Sequence, residues 1–134
     1  MQQEFAISTS KKQELMDITS KVNSIIQKLG IKSGLCNVFA MHATGAIIIN
    51  ENYDPNICLD LLDALQKLVP SGIWRHDRID GNANSHIKSA ILGPSETIPI
   101  KNGKLLLGTW QSLMFAELDG PREYRKIVVT ILGD

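Results

Sequence analysis

The chain has only three histidines, and two of them fall within one short polar stretch, Trp74 to His86, which reads WRHDRIDGNANSH. His76 and His86 stand there among Arg75, Asp77, Arg78, Asp80, Asn82 and Asn84, around Gly81. The third, His42, lies in a polar break between two apolar runs, in AMHATGAIIINEN. A neutral imidazole is a common ligand for divalent ions, and three of them hold one while leaving a position open for water or substrate. The expectation is therefore one shared metal site for His42, His76 and His86, placed in loops that a rigid scaffold positions. No His-x-x-x-His pair occurs, so the three must be gathered by the fold and not by a single helix.

Other residues could serve such a site. Glu51 directly follows the run AIIIN, where a carboxylate at a strand end could act as a general base or orient a histidine. Its plain alternative is a solvated residue of the Asn50 to Asp54 loop. Asp80 and Asn82 flank Gly81 and could be aimed at substrate or metal, or could close an Asx turn. In Gly108-Thr109-Trp110-Gln111, Trp110 offers a face for a heteroaromatic ring and Gln111 an amide for its edge, unless the tryptophan is core. Arg122, in Asp119-Gly120-Pro121-Arg122, could hold a phosphate or carboxylate through two parallel hydrogen bonds, or could be an exposed charge at a turn.

Several chemistries are disfavoured. Neither Gly-x-Gly-x-x-Gly nor Gly-x-x-x-x-Gly-Lys occurs, so no nucleotide cofactor is expected on a standard loop. A Gly-x-Ser-x-Gly nucleophile turn is absent as well. Basic and acidic residues balance at 14 each, which weakens a nucleic-acid reading because neutralising phosphates calls for a basic face. Cys36 and Cys58 are not in a Cys-x-x-Cys pair and read as reduced thiols. No apolar run approaches the roughly 20 residues that cross a bilayer, and MQQEFAIST lacks a signal-peptide pattern. A cytoplasmic protein acting on a small molecule, with no membrane partner, is the expectation.

The 134 residues have the length of one domain, with no repeat or linker to divide residues 1–134. Glu4 to Thr9 reads as a strand, and Glu14 to Asp17 as a short extended piece. Val22, Ile25, Ile26 and Leu29 recur at helical spacing, predicting a helix from a Thr19 cap to Gly30. Gly34 to Ala40 and Gly45 to Asn50 look like neighbouring strands. Asp54-Pro55 starts a second helix that Pro70 and Gly72 stop, and Ser85 to Leu92 forms a short third. Asn102-Gly103 predicts a tight hairpin, and Thr109 to Leu118 and Glu123 to Leu132 flank a second tight connection at residues 119–122. Strands joined by short turns predict an α+β protein with a largely antiparallel sheet and two main helices.

Taken in order, His42-Ala43-Thr44-Gly45-Ala46, Ile49-Asn50-Glu51, Trp74-Arg75-His76-Asp77, Asp80-Gly81-Asn82-Ala83, His86, Leu107-Gly108-Thr109-Trp110-Gln111 and Glu117-Leu118-Asp119-Gly120-Pro121-Arg122 resemble the YjbQ family. The likeness covers nearly the whole chain, and LGTWQ and DGPR are close to signatures. It departs at His42-Ala43-Thr44-Gly45, where family members more often have Thr or Ser after the histidine and Ala in place of Gly45.

The resemblance implies a β-sandwich-like α+β domain that assembles as a homotrimer. It further implies a pocket surrounded by His42, His76 and His86, with zinc as the first candidate metal, and by Glu51, Asp80, Asn82, Gln111 and Arg122. The implied activity is that of a secondary thiamine-phosphate synthase, which joins a pyrimidine methyl diphosphate to a thiazole phosphate and releases diphosphate. A metal at the histidines, Trp110 and Arg122 would meet its needs for charge neutralisation, stacking and anion binding. Two other readings compete: a metal-dependent hydrolase of a small phosphorylated or heterocyclic compound, with Glu51 or Asp80 as base, and a metabolite-binding trimer without turnover.

Overall fold

A computed structural model describes residues 1–134. The chain runs β1 (Gln2–Ile7), β2 (Glu14–Asp17), α1 (Thr19–Leu29), β3 (Ser33–Ala40), β4 (Gly45–Asn50), α2 (Pro55–Leu68), a 3₁₀ turn (Arg75–Arg78), α3 (Ala83–Leu92), β5 (Ser95–Lys101), β6 (Lys104–Leu105), β7 (Ser112–Glu117) and β8 (Arg125–Gly133). The strands form two antiparallel sheets, one of five strands in the order β1-β8-β3-β5-β6 and one of three in the order β2-β7-β4. The expected α+β class and antiparallel pairing are what the chain adopts.

Burial explains the layering. The larger sheet alternates, with Cys36, Val38 and Ala40 of β3, Ile98 and Ile100 of β5, and Ile127, Val129 and Ile131 of β8 turned inward. They meet Ile47, Leu113 and Phe115 of the small sheet and Val22 and Ile26 of α1. The opposite face of the small sheet carries Ala46, Ala116 and Leu118, packed with Leu15 and with Leu92 of α3. Its central strand β7 is therefore covered on both sides and reads as a continuous apolar run, as doubly buried strands do. No helix is long and apolar enough to cross a membrane.

Local signals act as their chemistry requires. Asp54 caps α2 by accepting the Asn56 N–H at 2.9 Å, with Pro55 in the first turn. Asn102 and Gly103 both take positive φ, 54° and 79°, as a two-residue hairpin turn demands. Thr19 is not the cap of α1, because its hydroxyl instead accepts the Leu113 N–H at 2.9 Å and ties the helix to β7. β7 starts at Ser112, later than expected, since the Gln111 side chain accepts the Gly108 N–H at 2.8 Å and folds residues 108–111 into a turn.

Two connections differ in kind from expectation. β3 and β4 are not paired neighbours, for they lie in different sheets. The Asp119–Arg122 segment likewise carries the chain from β7 in one sheet to β8 in the other. A polar break after a strand does not say whether the chain turns back beside it or steps to another layer.

That second crossing is sewn to the β1–β2 connection. The Thr9 N–H donates to Arg122 O at 2.8 Å, the Gly120 N–H to Lys12 O at 2.9 Å, and the Arg122 N–H to the Thr9 hydroxyl at 2.8 Å. Gly120 permits the approach, because a Cβ there would run into the Lys11 carbonyl. Beneath it Glu117 and Arg125 form an ion pair whose side chains are 0% and 5% exposed. Glu117 also accepts the Thr9 hydroxyl at 2.8 Å and the Asp119 N–H at 3.0 Å, while Arg125 donates to Thr44 O at 3.2 Å. Burial alone would raise the Glu117 carboxyl, but Arg125, Asp119 and Thr9 outweigh it and hold it below the ordinary value.

Gly45, at the start of β4, lies against Phe115 of the core. A Cβ at this position would stand 2.5 Å from Cζ of Phe115, so the ring occupies the space an alanine would need. Replacing Glu117 with Gln leaves the Arg125 charge buried without a counter-charge, and the expected loss is about 3 kcal/mol. Urea unfolding of E117Q measures it, and a loss below about 1 kcal/mol would contradict the pair's structural role.

Candidate functional site

The polar stretch is organised by Asp77. Its carboxylate accepts the Trp74 N–H and the Ala83 N–H, each at 3.0 Å, binding the 3₁₀ turn to the start of α3. Those two bonds hold the Asp77 carboxyl below its ordinary value. The knot sets His76, on the turn, beside His86, one turn into α3, with ring centroids 4.9 Å apart and planes at 82°. A spacing near 5 Å at close to a right angle is that of an edge-to-face ring pair. His76 Nε2 is buried and has no hydrogen-bond partner, and the Asp80 carboxylate lies 3.6 Å from it. Both rings line a cavity of about 670 Å³ with Ile73, Trp74, Ala83 and Ile87.

His42 does not join them. No group of three His, Cys, Asp or Glu side chains in the chain could hold a metal ion, so the expected convergence of three imidazoles does not occur within one chain. The physical reason is a prior engagement: the Lys126 N–H donates to His42 Nε2 at 2.8 Å. A nitrogen accepting a hydrogen bond carries no proton, so in the neutral ring Nδ1 bears it and points a donor outward, which is the wrong form for a ligand. Burial, and next the charge of Arg125, push the His42 imidazole down from its ordinary value and favour this neutral form.

At the same end of the small sheet lies a network around Asp119, whose side chain is 9% exposed. The carboxylate accepts Asn82 Nδ2 at 2.8 Å and Arg122 Nη2 at 3.0 Å, and pairs with Lys12. Arg122 Nε also donates to Asp119 O at 2.9 Å. Asn82 precedes α3 without capping it through its side chain; the amide is turned to Asp119, and Oδ1 is left buried and unpaired. Two expected site residues, Asn82 and Arg122, are thus joined by one that the sequence reading quoted but did not assign. Close by, Lys88 of α3 is wholly buried and donates to Gln66 Oε1 at 2.6 Å, its amine pushed down by burial and by the charge of Lys12.

Glu51, Trp110 and Gln111 belong elsewhere. Asn50 pairs with Ser112 and Gly45 with Glu117, so Glu51 and residues 110–111 lie at one end of the β4–β7 ladder and Asp119 at the other. Five steps of about 3.3 Å along β4 separate the two ends by roughly 17 Å. Trp110, 60% exposed, is not core; it packs edge-on against Tyr53, which is 80% exposed, with centroids 5.4 Å apart. Gln111 spends its amide oxygen on the Gly108 turn. Lys12, Asp119, Glu117 and Arg125 were missed as site-formers, although a lone acid in the apolar run LMFAEL was a usable signal for Glu117.

Burial opposes ionisation of Asp119, but the bonds from Asn82, Lys12 and Arg122 and the Lys12 charge bring its carboxyl down to about 2 from 3.8. A folded value below the unfolded one gives stability that is complete above about 4 and is lost as pH falls toward 2, about 2 kcal/mol in all. Asp119→Asn should remove that part of the acid dependence. Unfolding midpoints of both proteins between pH 5 and 2 check it, and parallel curves would refute it.

The sequence pattern of the family described as UPF0047 protein YjbQ-like matches residues 3–134. The chain is 46% identical over 132 residues to a UPF0047 protein of Methanothermobacter thermautotrophicus, covering 98% of this chain and 91% of that one. Among solved structures, it is similar to a protein of unknown function from Sulfolobus solfataricus, at a TM-score of 0.95 and 41% identity, over 100% of this chain and 97% of the other. A hypothetical protein from Aeropyrum pernix superimposes with a TM-score of 0.94 at 35% identity, over 100% and 99% of the two chains. With sequence and fold matching over nearly the whole chain, the chain belongs to the YjbQ (UPF0047) family.

Proposed function

We propose that the protein is a cytoplasmic, metal-assisted enzyme with thiamine-phosphate synthase activity, taking a pyrimidine methyl diphosphate and a thiazole phosphate. The observation that carries the reading is the pair His76 and His86 at the cavity wall, with the Nε2 of His76 buried and unbonded. An orphaned nitrogen in that place costs free energy unless something fills its lone pair. His76 and His86 would supply two ligands to zinc, with Asp80 near enough to orient His76. Bound zinc would supply positive charge against the departing diphosphate.

The chain's own groups account for the rest. Arg122, held on Asp119, offers its free guanidinium edge to a phosphate. His42 donates through Nδ1 to a substrate oxygen instead of ligating metal. In the reaction the bond from the pyrimidine methylene to the diphosphate oxygen breaks, and a bond from that methylene to the thiazole nitrogen forms, releasing diphosphate. Glu51 serves to orient the pyrimidine, and Trp110 and Gln111 serve as stacking face and edge reader.

Those last three lie at the other end of the β4–β7 ladder from Asp119, roughly 17 Å away along the strands, which supports a homotrimer in which one copy's Trp110 end meets the next copy's histidine end. Such a head-to-tail contact is heterologous, and three copies close it into a ring. It would also cover exposed Tyr53 and Trp110.

The test is zinc titration, light scattering and product analysis on one preparation. The wild type is expected to be trimeric at micromolar concentration, to bind zinc more weakly as acid protonates its imidazoles, and to release diphosphate only when both substrates are present. His86→Ala is expected to lose at least tenfold in zinc affinity. Phosphate released from a single substrate would replace the synthase by a hydrolase, and unchanged zinc affinity in H86A would remove the metal reading.

A further inference from the structure

Asp119 is one carboxylate shared by two cations, and the arrangement is lopsided toward solvent. Its own side chain is 9% exposed, while those of Lys12 and Arg122 are 66% and 50% exposed. A molecule approaching from solvent meets nitrogen donors first and the carboxylate behind them. The donors are also underused. Arg122 spends Nε and one bond of Nη2 on Asp119 and has no protein acceptor at Nη1, and the Lys12 ammonium has no acceptor besides Asp119. The nearby Glu117 carboxylate is fully buried and committed to Arg125, Thr9 and the Asp119 N–H, so it does not repel an anion at the surface.

Both arms stand on fixed backbone. Glu14 accepts the Ser10 and Lys11 N–H groups, each at 2.8 Å, and thereby shapes the turn that carries Lys12. The Gly120 N–H holds the Lys12 carbonyl, and Thr9 holds the backbone of Arg122 on both sides, through its N–H to the carbonyl and its hydroxyl to the N–H. Two long side chains that would otherwise sample many rotamers are thus anchored from the chain and tethered at their tips. Preorganised donors of this kind lose little freedom when an anion arrives. Two adjacent cations, one of them a planar fork, match the adjacent charges of a diphosphate better than a lone carboxylate ligand.

We infer that Lys12 and Arg122 form a two-armed clamp for the diphosphate group of a substrate or product, with Asp119 as the positioning residue that holds both arms. The clamp deepens the proposed function and rests on its placing the reactive site at the Asp119 end of the small sheet. Lys12 is the new member; its place in the loop between β1 and β2, far in sequence from every other site residue, is a consequence of the stitching between that loop and residues 119–122.

Calorimetric titration of metal-free protein with inorganic diphosphate tests the clamp without requiring turnover. The wild type is expected to show saturable binding. K12Q and R122Q are each expected to weaken it more than tenfold, and K11Q, which alters a neighbouring lysine with no bond to Asp119, to change it less than twofold. D119N separates positioning from bulk charge: it removes a negative charge, so a merely electrostatic patch would bind tighter, whereas the clamp binds more weakly. Thermal unfolding of each variant confirms that it is folded, and K12R, which keeps the charge, should retain binding within about threefold. Absence of saturable binding by the wild type, equal binding by K12Q and wild type, or tighter binding by D119N overturns the inference. If diphosphate binds as expected but both synthase substrates give no thiamine phosphate, the clamp stands and the proposed reaction falls.

Discussion

The buried ion pair of Glu117 and Arg125 is the interaction on which the rest depends, because it fastens four separate pieces of chain at the point where they would otherwise drift apart. Glu117 ends β7 in the small sheet and Arg125 begins β8 in the large one. Through them the Thr9 hydroxyl, the Asp119 N–H and the Thr44 carbonyl are drawn to one place. Burying two charges is costly, and the cost is offset only because both Glu117 oxygens and the Nε and Nη2 of Arg125 are hydrogen-bonded. A well-packed apolar pair could hold the sheets together as firmly; it could not accept the bonds that aim the Asp119 segment.

Everything chemical at that end follows from the aim. Asp119 receives Asn82 and so fixes the start of α3, which carries His86. Asp77 binds the 3₁₀ turn to the same helix start and thereby sets His76 against His86. His42, on the short crossing between β3 and β4, is caught by the Lys126 N–H next to Arg125. The three histidines are thus set apart: two line a cavity, with His76 Nε2 unbonded, and one is held by accepting the Lys126 N–H.

How much of this was legible depended on whether the signal was local. The cap at Asp54, the turn at Asn102-Gly103 and the α+β class depend on neighbouring residues and were readable in the sequence. The polar stretch from Trp74 to His86 stood out by its density of ligand-type residues, and its two histidines line one cavity. The sheet assignment of β3 and β4 was not, because a polar break after a strand is the same text whether the chain turns back or crosses to another layer. His42 was misread as a ligand for a related reason: its engagement with Lys126 spans 84 positions and leaves no mark near either residue. Lys12 was invisible for the same cause, since its partner lies 107 positions away. The family motifs located most of the polar residues but not how they are divided between the two ends of the small sheet.

The central claim is that the histidines hold two different jobs, and nitrogen-15 NMR of their side chains reads it directly. The predicted result is that His42 is the neutral tautomer protonated on Nδ1, keeps that form as pH falls below the range in which a free imidazole charges, and does not respond to added zinc, while His76 and His86 shift together with zinc. A His42 protonated on Nε2, or three imidazoles shifting together on zinc addition, would contradict it.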